Sequence, residues 1–308
     1  MSTLIQVNSG SFELKGGTLE NTSSMGYALH LNSSSTATLS GGTVVNTASG
    51  GHAAFVNSSA RLTMTDGEIK NTVNGGYAVY INGTASFTME GGKVTQESTY
   101  SSSAAIYANN NATSISISGG AVESKSTGIY AAFTPVSVTG GTFQTESYAL
   151  WTRHATIDPA DGNTVSVTSR GAVFYTFSES ENKIVDGNFT APVLTKSYTQ
   201  NDQPSILAVS GGTFDIGEVA STGDSSKITI SGGTVTPTGG SGNPGISCQD
   251  APENDSPIGE AGWILISGGT VYASPKAGEE NGSAIRGSFK TGIDGDAFVV
   301  ANGTGITD

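Results

Sequence analysis

The sequence predicts an all-β fold, a single-stranded parallel β-helix (solenoid) of about eleven coils with three short strands per coil. Three observations predict it: the composition disfavours helices, a pair of glycines recurs at nearly constant spacing, and apolar residues alternate with serine and threonine around each pair. Short strands of this kind cannot bury an apolar face singly. Stacked on one another, they enclose a continuous apolar core.

The composition is typical of strands and turns. Of the 308 residues, 43 are glycine, while charged residues make up only 13%. Glycine, serine, threonine and asparagine rank low in helix propensity and favour strands or turns. Apolar residues recur in a regular alternation, which a disordered linker lacks. We predict a single domain over residues 1–308, as a fragment of a longer surface protein.

The repeat is marked by a Gly-Gly or Asp-Gly pair, which begins at positions 16, 41, 66, 91, 119, 140, 161, 186, 211, 232 and 268. The residues two and four positions before the pair and three positions after its first residue are apolar in nearly every repeat, which marks strands with one buried face. Three positions break these columns: Pro159, Thr164 and Asn182. The pair suits a corner that needs a positive φ, and we expect Asp66, Asp161 and Asp186 to stand in for glycine there.

A third strand per repeat is predicted by the related stretches "GYALHLN", "GHAAFVN", "GGYAVYING" and "SAAIYAN". Its inward residue is apolar, and an asparagine follows it at Asn32, Asn57, Asn82 and Asn109. We expect these asparagines to stack amide on amide at a corner of the coil. The first glycine pair is predicted to have no such opening strand before it.

An outward column of rings follows the inward residue of this third strand. Its members are His30, Phe55, Tyr80, Tyr107, Tyr130, Trp151 and Phe174. Because neighbouring strands lie roughly 4.7 to 4.9 Å apart, rings that stand clear of the small residues beside them would form a long apolar strip. Such a strip suits the flat faces of sugars, so we predict carbohydrate binding here. The alternative is a purely structural ladder, in which the rings stack on one another.

The charge pattern excludes two classes of partner. The net charge is −13, from 26 acidic against 13 basic residues, and the basic residues are scattered singly. We therefore expect no nucleic-acid partner. No apolar run approaches the roughly 20 residues that span a bilayer, so we expect no membrane insertion. Cys248 is the only cysteine, which rules out an internal disulfide.

The motifs around four glycine pairs carry a resemblance. They are "LSGGTV" at 39–44, "VSGGTF" at 209–214, and "ISGGTV" at 230–235 and 266–271. The chain resembles right-handed β-helix proteins of the pectate-lyase-like superfamily, in particular the "ISGGTV" repeat proteins on the surfaces of gut and other anaerobic bacteria. The resemblance implies a right-handed coil and an extracellular or cell-surface bacterial protein. It leaves the activity open, because that superfamily includes lyases, hydrolases and non-catalytic adhesion or binding modules.

The densest set of reactive side chains lies in "WTRHATIDPADG". If the chain is a polysaccharide lyase or glycoside hydrolase, Arg153 or His154 is the candidate base, and Asp158 and Asp161 are the candidate acids or metal ligands. The competing interpretation is a solvated corner, and we favour it because the outward columns of the repeat hold no two carboxylates on adjacent rungs. The expected function is thus a non-catalytic, adhesin-like module that binds a polysaccharide or a host or cell-surface glycan, or else a structural stalk.

No cofactor is predicted. Asp294 and Asp296 in "GIDGDAF" could hold a calcium ion, but an Asp-Gly turn explains them equally well. Outward serine and threonine columns also resemble the hydroxyl arrays of ice-binding solenoids, although Glu90, Lys183 and Leu265 interrupt the array.

Overall fold

The computed structural model describes residues 2–109, 111–198, 205–222, 227–237, 246–249, 263–273, 285–287, 291–293, 295–301 and 306–307. No helix occurs among these residues, and the strands that they form pair in parallel. The predicted fold class is confirmed: an all-β solenoid of the right-handed type with roughly three strands per turn. The described strands make about nine turns, against the eleven that the glycine pairs predict.

The strands from the N-terminus to residue 169 are β1 Thr3–Val7, β2 Ser11–Leu14, β3 Thr18–Asn21, β4 Tyr27–Leu31, β5 Thr36–Asn46, β6 His52–Val56, β7 Arg61–Asn71, β8 Val79–Ile81, β9 Ser86–Met89, β10 Lys93–Gln96, β11 Ala104–Ala108, β12 Ser114–Ile117, β13 Ala121–Ser124, β14 Thr127–Ala131, β15 Val136–Val138, β16 Gly141–Thr145, β17 Tyr148–Thr152, β18 Ala155–Ile157 and β19 Val165–Ser169. Those that follow are β20 Ala172–Phe177, β21 Ser180–Ile184, β22 Asn188–Tyr198, β23 Ser205–Val209, β24 Thr213–Thr222, β25 Lys227–Ile230, β26 Thr234–Pro237, β27 Ile246–Gln249, β28 Trp263–Ile266, β29 Thr270–Ala273, β30 Ile285–Gly287, β31 Thr291–Ile293, β32 Phe298–Ala301 and β33 Ile306–Thr307.

The chain forms two compact units. The first comprises residues 1–154 and 159–166, and the second comprises residues 155–158 and 167–308.

The first unit stacks its strands in three parallel columns. The opening strands β1, β4, β6, β8, β11, β14 and β17 pair in that order. The strands before the glycine pair and those after it form the other two columns, and β5 and β7 each run through the corner without a break. Equivalent residues face one another from rung to rung, so that Thr38 pairs with Thr63 and Ile69 with Val94.

The core of the first unit lies where the alternation predicts it. Leu39, Met64 and Met89, each two residues before a glycine pair, are at most 2% exposed. Phe87 is among the largest side chains that are fully buried. Each such residue contributes roughly 1.5 to 3 kcal/mol through burial, so the interior columns supply the main stabilisation of the coil.

The glycine corner has a positive φ at its second position only. Gly42 and Gly67 have φ values of +79° and +87°. A Cβ atom on Gly67 would lie 2.6 Å from the carbonyl oxygen of Gly42 on the preceding rung. Asp66 occupies the first position, where φ is not positive, and its Oδ1 accepts a hydrogen bond from the N–H of Gly67 at 2.7 Å. The prediction that aspartate takes over the positive-φ position is therefore wrong.

An opening strand also precedes the first glycine pair, contrary to the sequence prediction. Strand β1 pairs in parallel with β4, and this register sets Ile5 beside Leu29 and Gln6 beside His30. The stretch "TLIQVNSG" lacks the ring and the leading glycine of its counterparts, which is why the comparison of motifs missed it.

The second unit builds its core from the same inward columns. The rings of Phe189 and Phe214 stack inside it, with centroids 4.8 Å apart and planes 9° apart. Asn182, the polar exception in its column, is 0% exposed, and its Oδ1 accepts a hydrogen bond from the N–H of Ala155 at 2.9 Å. A buried polar side chain is tolerated there because it satisfies a backbone donor.

The repeat slips after the pair at residue 161. Thr164, expected in the inward column, is exposed, whereas Val165 and Val167 are 0% and 1% exposed. The inward position therefore lies one residue later than the constant spacing predicts.

Candidate functional site

Six residues of the predicted ring column lie at one register of the first unit. His30, Phe55, Tyr80, Tyr107, Tyr130 and Trp151 are paired rung by rung along the opening strands. Each is partly exposed, between buried neighbours. The structure therefore brings these six predicted residues together.

Phe174 does not belong to this column. It is 0% exposed in the core of the second unit, and Tyr175 is the partly exposed ring beside it. The stretch "AVFYTF" carries two aromatic residues in succession, so alternation alone cannot choose between them. The structure makes the choice, because Phe174 and Thr176 are buried while Tyr175 is not.

A second column of rings was missed by the sequence analysis. Tyr27, His52, Tyr77 and Tyr148 stand three residues before members of the first column, and each is partly exposed. The Gly-aromatic steps at 26–27, 51–52 and 76–77 were the available signal. We call the two columns together the ring ladder. Its members are Tyr27, His30, His52, Phe55, Tyr77, Tyr80, Tyr107, Tyr130, Tyr148 and Trp151.

The ring ladder contains a continuous stack of five rings. Tyr27 and His52 lie 5.6 Å apart at 14°, and His52 and Tyr77 lie 5.3 Å apart at 21°. Tyr77 and Tyr107 follow at 4.4 Å and 17°, and Tyr107 and Tyr130 at 4.8 Å and 5°. Tyr107 is thus stacked on a ring of the rung below and on a ring of the rung above, which occupies both of its faces.

The remaining rings meet this stack at an angle. The edge contacts of Tyr80 are to His52, at 4.9 Å and 75°, and to Tyr107, at 5.3 Å and 70°. Trp151 meets Tyr130 at 5.1 Å and 64°, and Tyr148 at 5.8 Å and 84°. Aromatic pairs of these geometries contribute about 0.5 to 1.5 kcal/mol each beyond their buried area.

The small residues beside the rings have no exposed surface. Ala28, Ala53, Ala78, Ala105 and Ala149 are each 0% exposed. A Cβ atom at the equivalent position Gly128 would lie 2.6 Å from the carbonyl oxygen of Ala149 and 3.1 Å from the side chain of Thr145, so the next rung covers this position. The small residues are therefore packed within the coil and form no exposed floor beside the rings, in contrast to the sequence prediction.

Burial shifts the pKa values of His52, His30 and Tyr77 in the ring ladder away from neutral pH. Nδ1 of His52 accepts a hydrogen bond from the N–H of Tyr77 at 3.1 Å, and burial lowers the pKa of His52 to about 4. Burial also lowers the pKa of His30. The pKa of Tyr77 is raised to about 12, first by burial and then by the neighbouring phenols. These groups therefore do not exchange protons near pH 7, as a general base or acid must.

The predicted corner ladder of asparagines is present. Asn57 donates from Nδ2 to Oδ1 of Asn32 at 3.2 Å. Asn82 donates in the same way to Asn57 at 2.8 Å, and Asn109 to Asn82 at 2.7 Å. These amides satisfy one another along the coil.

A second amide ladder, which the sequence analysis missed, lies five residues after the start of each glycine pair. Asn21, Asn46 and Asn71 each donate from Nδ2 to the side-chain oxygen of the next member, ending at Gln96, at 2.6 Å in every step. All four side chains are at most 4% exposed. Buried amides that bond to one another avoid the cost of unpaired polar groups.

The described surroundings of the four alternative catalytic residues give no support to a catalytic site. In the first unit, the guanidinium carbon of Arg153 lies 4.4 Å from the centroid of the Phe133 ring, and His154 and Asp161 are exposed. Asp158, in the second unit, is also exposed. Within the described ranges, no group of three His, Cys, Asp or Glu side chains is arranged to hold a metal ion.

Two further expectations concern a calcium site and membrane-spanning segments. Asp294, the first candidate calcium ligand, lies outside the described residues, and Asp296 is exposed in a turn. In the part of the chain that the structure describes, no helix has the length and apolar character needed to cross a membrane.

Comparison of the chain with protein-family models, with curated proteins and with solved structures finds no match. The resemblance to the pectate-lyase-like superfamily and to "ISGGTV" surface proteins therefore stays a prediction from the repeat motifs.

Proposed function

We propose that this chain is a non-catalytic, extracellular or cell-surface solenoid module that acts as an adhesin-like structural stalk. The observation that carries the proposal is the closure of the ring ladder on itself. Tyr107 stacks on Tyr77 at 4.4 Å and on Tyr130 at 4.8 Å, and neither face is left for a ligand.

A sugar ring binds an aromatic side chain by packing its CH groups on an open ring face. In the stack of five rings that face is occupied by the next ring, and Tyr80 and Trp151 make edge contacts with the stack, so the apolar area stabilises the coil. The polar ladders behave in the same way, because each amide uses its neighbour as partner. Such a surface suits a stiff spacer that needs no ligand to be stable.

Polysaccharide or cell-surface glycan binding is the second candidate, and one observation favours it. Phe133 is 47% exposed, and Arg153 covers its ring on one side at 4.4 Å. An exposed ring beside a guanidinium offers an apolar face and hydrogen-bond donors to sugar hydroxyls. A lyase or hydrolase activity has no comparable support, because His154 and Asp161 extend into solvent.

The test combines binding and stability measurements on the same proteins. Wild type, Phe133→Ala, Tyr107→Leu and the control Tyr100→Ala are applied to a glycan array and to insoluble polysaccharides, and each is unfolded in urea. Tyr100 is a suitable control because it is 55% exposed. The stalk proposal expects no glycan binding and a stability loss confined to Tyr107→Leu.

Binding that Phe133→Ala removes and Tyr107→Leu retains would favour the second candidate. Binding that requires Tyr107, with unfolding unchanged in Tyr107→Leu, would contradict the stalk proposal. Release of unsaturated products from pectin-type polymers, lost in Arg153→Ala, would establish the lyase alternative.

A further inference from the structure

Two Asn-Gly sequences lie in the described part of the chain, at Asn74–Gly75 and at Asn82–Gly83. In an Asn-Gly sequence the backbone nitrogen of the glycine can attack the side-chain amide carbon of the asparagine, since no side chain hinders its approach. Whether the reaction occurs in a folded protein depends on how each amide is held. The two sites differ in this respect.

Asn82 is held in the corner ladder. Its Nδ2 donates to Oδ1 of Asn57 at 2.8 Å, and its Oδ1 accepts a hydrogen bond from Nδ2 of Asn109 at 2.7 Å. Rotation of this amide towards Gly83 would break both bonds. The loss of each hydrogen bond costs about 0.5 to 1.5 kcal/mol net.

Asn74 is exposed in the loop between β7 and β8. Its Oδ1 accepts a hydrogen bond from Oγ of Ser98 at 2.9 Å, and Ser98 is itself 1% exposed. Gly75 is exposed at a φ of +80°, and the nearest atom to a Cβ built there is 3.7 Å away. The amide of Asn74 is therefore polarised by a donor from Ser98, and the space around Gly75 is open.

Ser98 is positioned by further contacts of its own. Its Oγ lies 2.8 Å from Oγ of Ser103 and accepts a hydrogen bond from the N–H of Tyr100 at 3.3 Å. A donor held in this way can stabilise negative charge that develops on the side-chain oxygen of Asn74 during attack.

We propose that Asn74 is a site of spontaneous covalent modification, at which the folded protein converts the asparagine to aspartate and isoaspartate. The backbone nitrogen of Gly75 loses its proton to water and forms a bond to the amide carbon of Asn74, and the developing oxyanion receives the hydrogen bond from Ser98. The bond from that carbon to Nδ2 then breaks, and ammonia leaves with a proton returned by water. One water molecule opens the resulting succinimide at either carbonyl, so water is the only co-reactant.

The loop that carries Asn74 is anchored at both ends, so the product is compatible with the fold. Nδ2 of Asn71 donates to the carbonyl oxygens of Val73, at 2.6 Å, and of Gly76, at 3.3 Å. Nε2 of Gln96 donates to the same Gly76 oxygen at 2.8 Å. Conversion to aspartate adds one negative charge at the surface and keeps the backbone that makes these bonds, whereas isoaspartate also adds one main-chain atom to the loop between them.

The experiment follows both sites by peptide mapping with mass spectrometry during incubation of the intact chain at mildly alkaline pH. We expect Asn74 to gain the mass of an amide-to-acid conversion at least tenfold faster than Asn82 in the folded protein. In urea the two rates should become equal, because the sequences Asn-Gly are the same. Equal rates in the folded protein, or faster conversion of Asn82, would overturn the proposal.

The role of Ser98 is tested in Ser98→Ala, with circular dichroism as the check of folding. Conversion of Asn74 should slow several-fold in the folded variant and stay unchanged in urea. If the variant does not fold, Ser103→Ala, which leaves the Ser98 hydroxyl in place, serves as the second variant and should retain fast conversion at Asn74. An unchanged rate in folded Ser98→Ala would contradict activation by Ser98.

Discussion

In the first unit the flanks of the coil carry stacked rings and bonded amides, whereas in the second the described ring stack and hydroxyl contacts lie inside, and the partly exposed rings of Tyr175 and Phe177 meet edge to face. There, Phe189 stacks on Phe214 at 4.8 Å, and the hydroxyl of Ser205 lies 2.8 Å from that of Thr176 and 2.7 Å from that of Ser180. Both units nevertheless keep the glycine corner and the inward apolar columns. The corner and the columns are thus sufficient to close a coil, and the external ladders add stability to the first unit.

The corner is built identically in the two units. In the first unit Oδ1 of Asp66 accepts a hydrogen bond from the N–H of Gly67 at 2.7 Å. In the second unit Oδ1 of Asp186 accepts a hydrogen bond from the N–H of Gly187, also at 2.7 Å. Disruption of the corner should therefore be costly in both units, while disruption of a ladder should be costly only where the ladder exists.

The largest loss is expected for alanine at the second position of the corner. Gly92→Ala in the first unit and Gly212→Ala in the second force a Cβ into a positive φ, +76° and +102°, against backbone of the preceding rung. We expect each to cost about 3 kcal/mol or more in urea unfolding. Gly10→Ala, with φ +78° and nothing within 4 Å of the Cβ, is the control and should cost about 1 kcal/mol. An equal loss at all three sites would contradict the role of close packing.

The buried amide ladder gives the next largest effect. Asn71→Leu should cost about 3 kcal/mol, because it breaks the buried hydrogen bonds to Asn46 and Gln96 and removes the donor to the carbonyl oxygen of Val73. Asn182→Leu in the second unit should cost only about 1 kcal/mol. The substitution removes the hydrogen bond that the N–H of Ala155 donates to Asn182. It also removes the buried Nδ2 of Asn182, which has no hydrogen-bond partner. Urea unfolding of the two variants measures the difference, and the reverse order would refute it.

The pH dependence of the first unit should contain a contribution from His52. Its pKa is about 4 in the folded chain against an ordinary value of 6.5, so the unfolded chain binds more protons between these values. This contribution to stability is complete above about pH 6.5 and is lost as the pH falls towards 4, by about 2 kcal/mol after allowance for partial exposure.

His52→Phe keeps a ring in the stack and removes the titrating group. When the pH is lowered from 6.5 to 4, the free energy of unfolding of His52→Phe should decrease less than that of wild type. His30→Phe is the matched control and should retain most of the wild-type slope. Identical slopes in wild type and His52→Phe would show that His52 titrates normally.

The smallest effect is expected for the surface ion pairs. Nζ of Lys70 lies 2.6 Å from Oε1 of Glu97, and Nζ of Lys93 lies 2.7 Å from Oε2 of Glu123. Partly exposed pairs contribute about 0 to 1 kcal/mol. Lys70→Met and Lys93→Met should each cost less than about 0.5 kcal/mol, with the loss vanishing in high salt. A loss above that of Asn182→Leu would contradict this ranking.

The sequence predicts the inward columns well because side chains in a strand alternate with a period of two, and glycine marks the corner. It predicts the corner amide ladder for a related reason, since Asn32 and Asn57 recur at one register and an amide bonds readily to its own kind. The buried ladder of Asn21, Asn46 and Asn71 has the same signal, but these residues end the strands after the glycine corner, and the ends of those strands were not aligned.

The ring ladder could be located from the sequence but its geometry could not. Alternation from Leu29 sets Tyr27 on the inner face, yet Tyr27 is partly exposed while Ala28 and Leu29 are both buried. The first residue of the opening strand departs from the period, and the tilt of each ring depends on its neighbours in three dimensions. Phe174 was misplaced for a different reason. Phe174 and Tyr175 are adjacent rings, so the sequence does not decide which of them faces outward.

The central claim is that the outward rings stabilise the coil by covering one another. The most direct measurement is the free energy of unfolding of Tyr107→Leu compared with that of Tyr100→Leu, with glycan binding followed on the same samples. We predict a loss of about 1 to 3 kcal/mol for Tyr107→Leu, from two lost stacking contacts, and about 0 for the exposed Tyr100. Unchanged stability in Tyr107→Leu, together with the loss of a glycan-binding activity, would contradict the account.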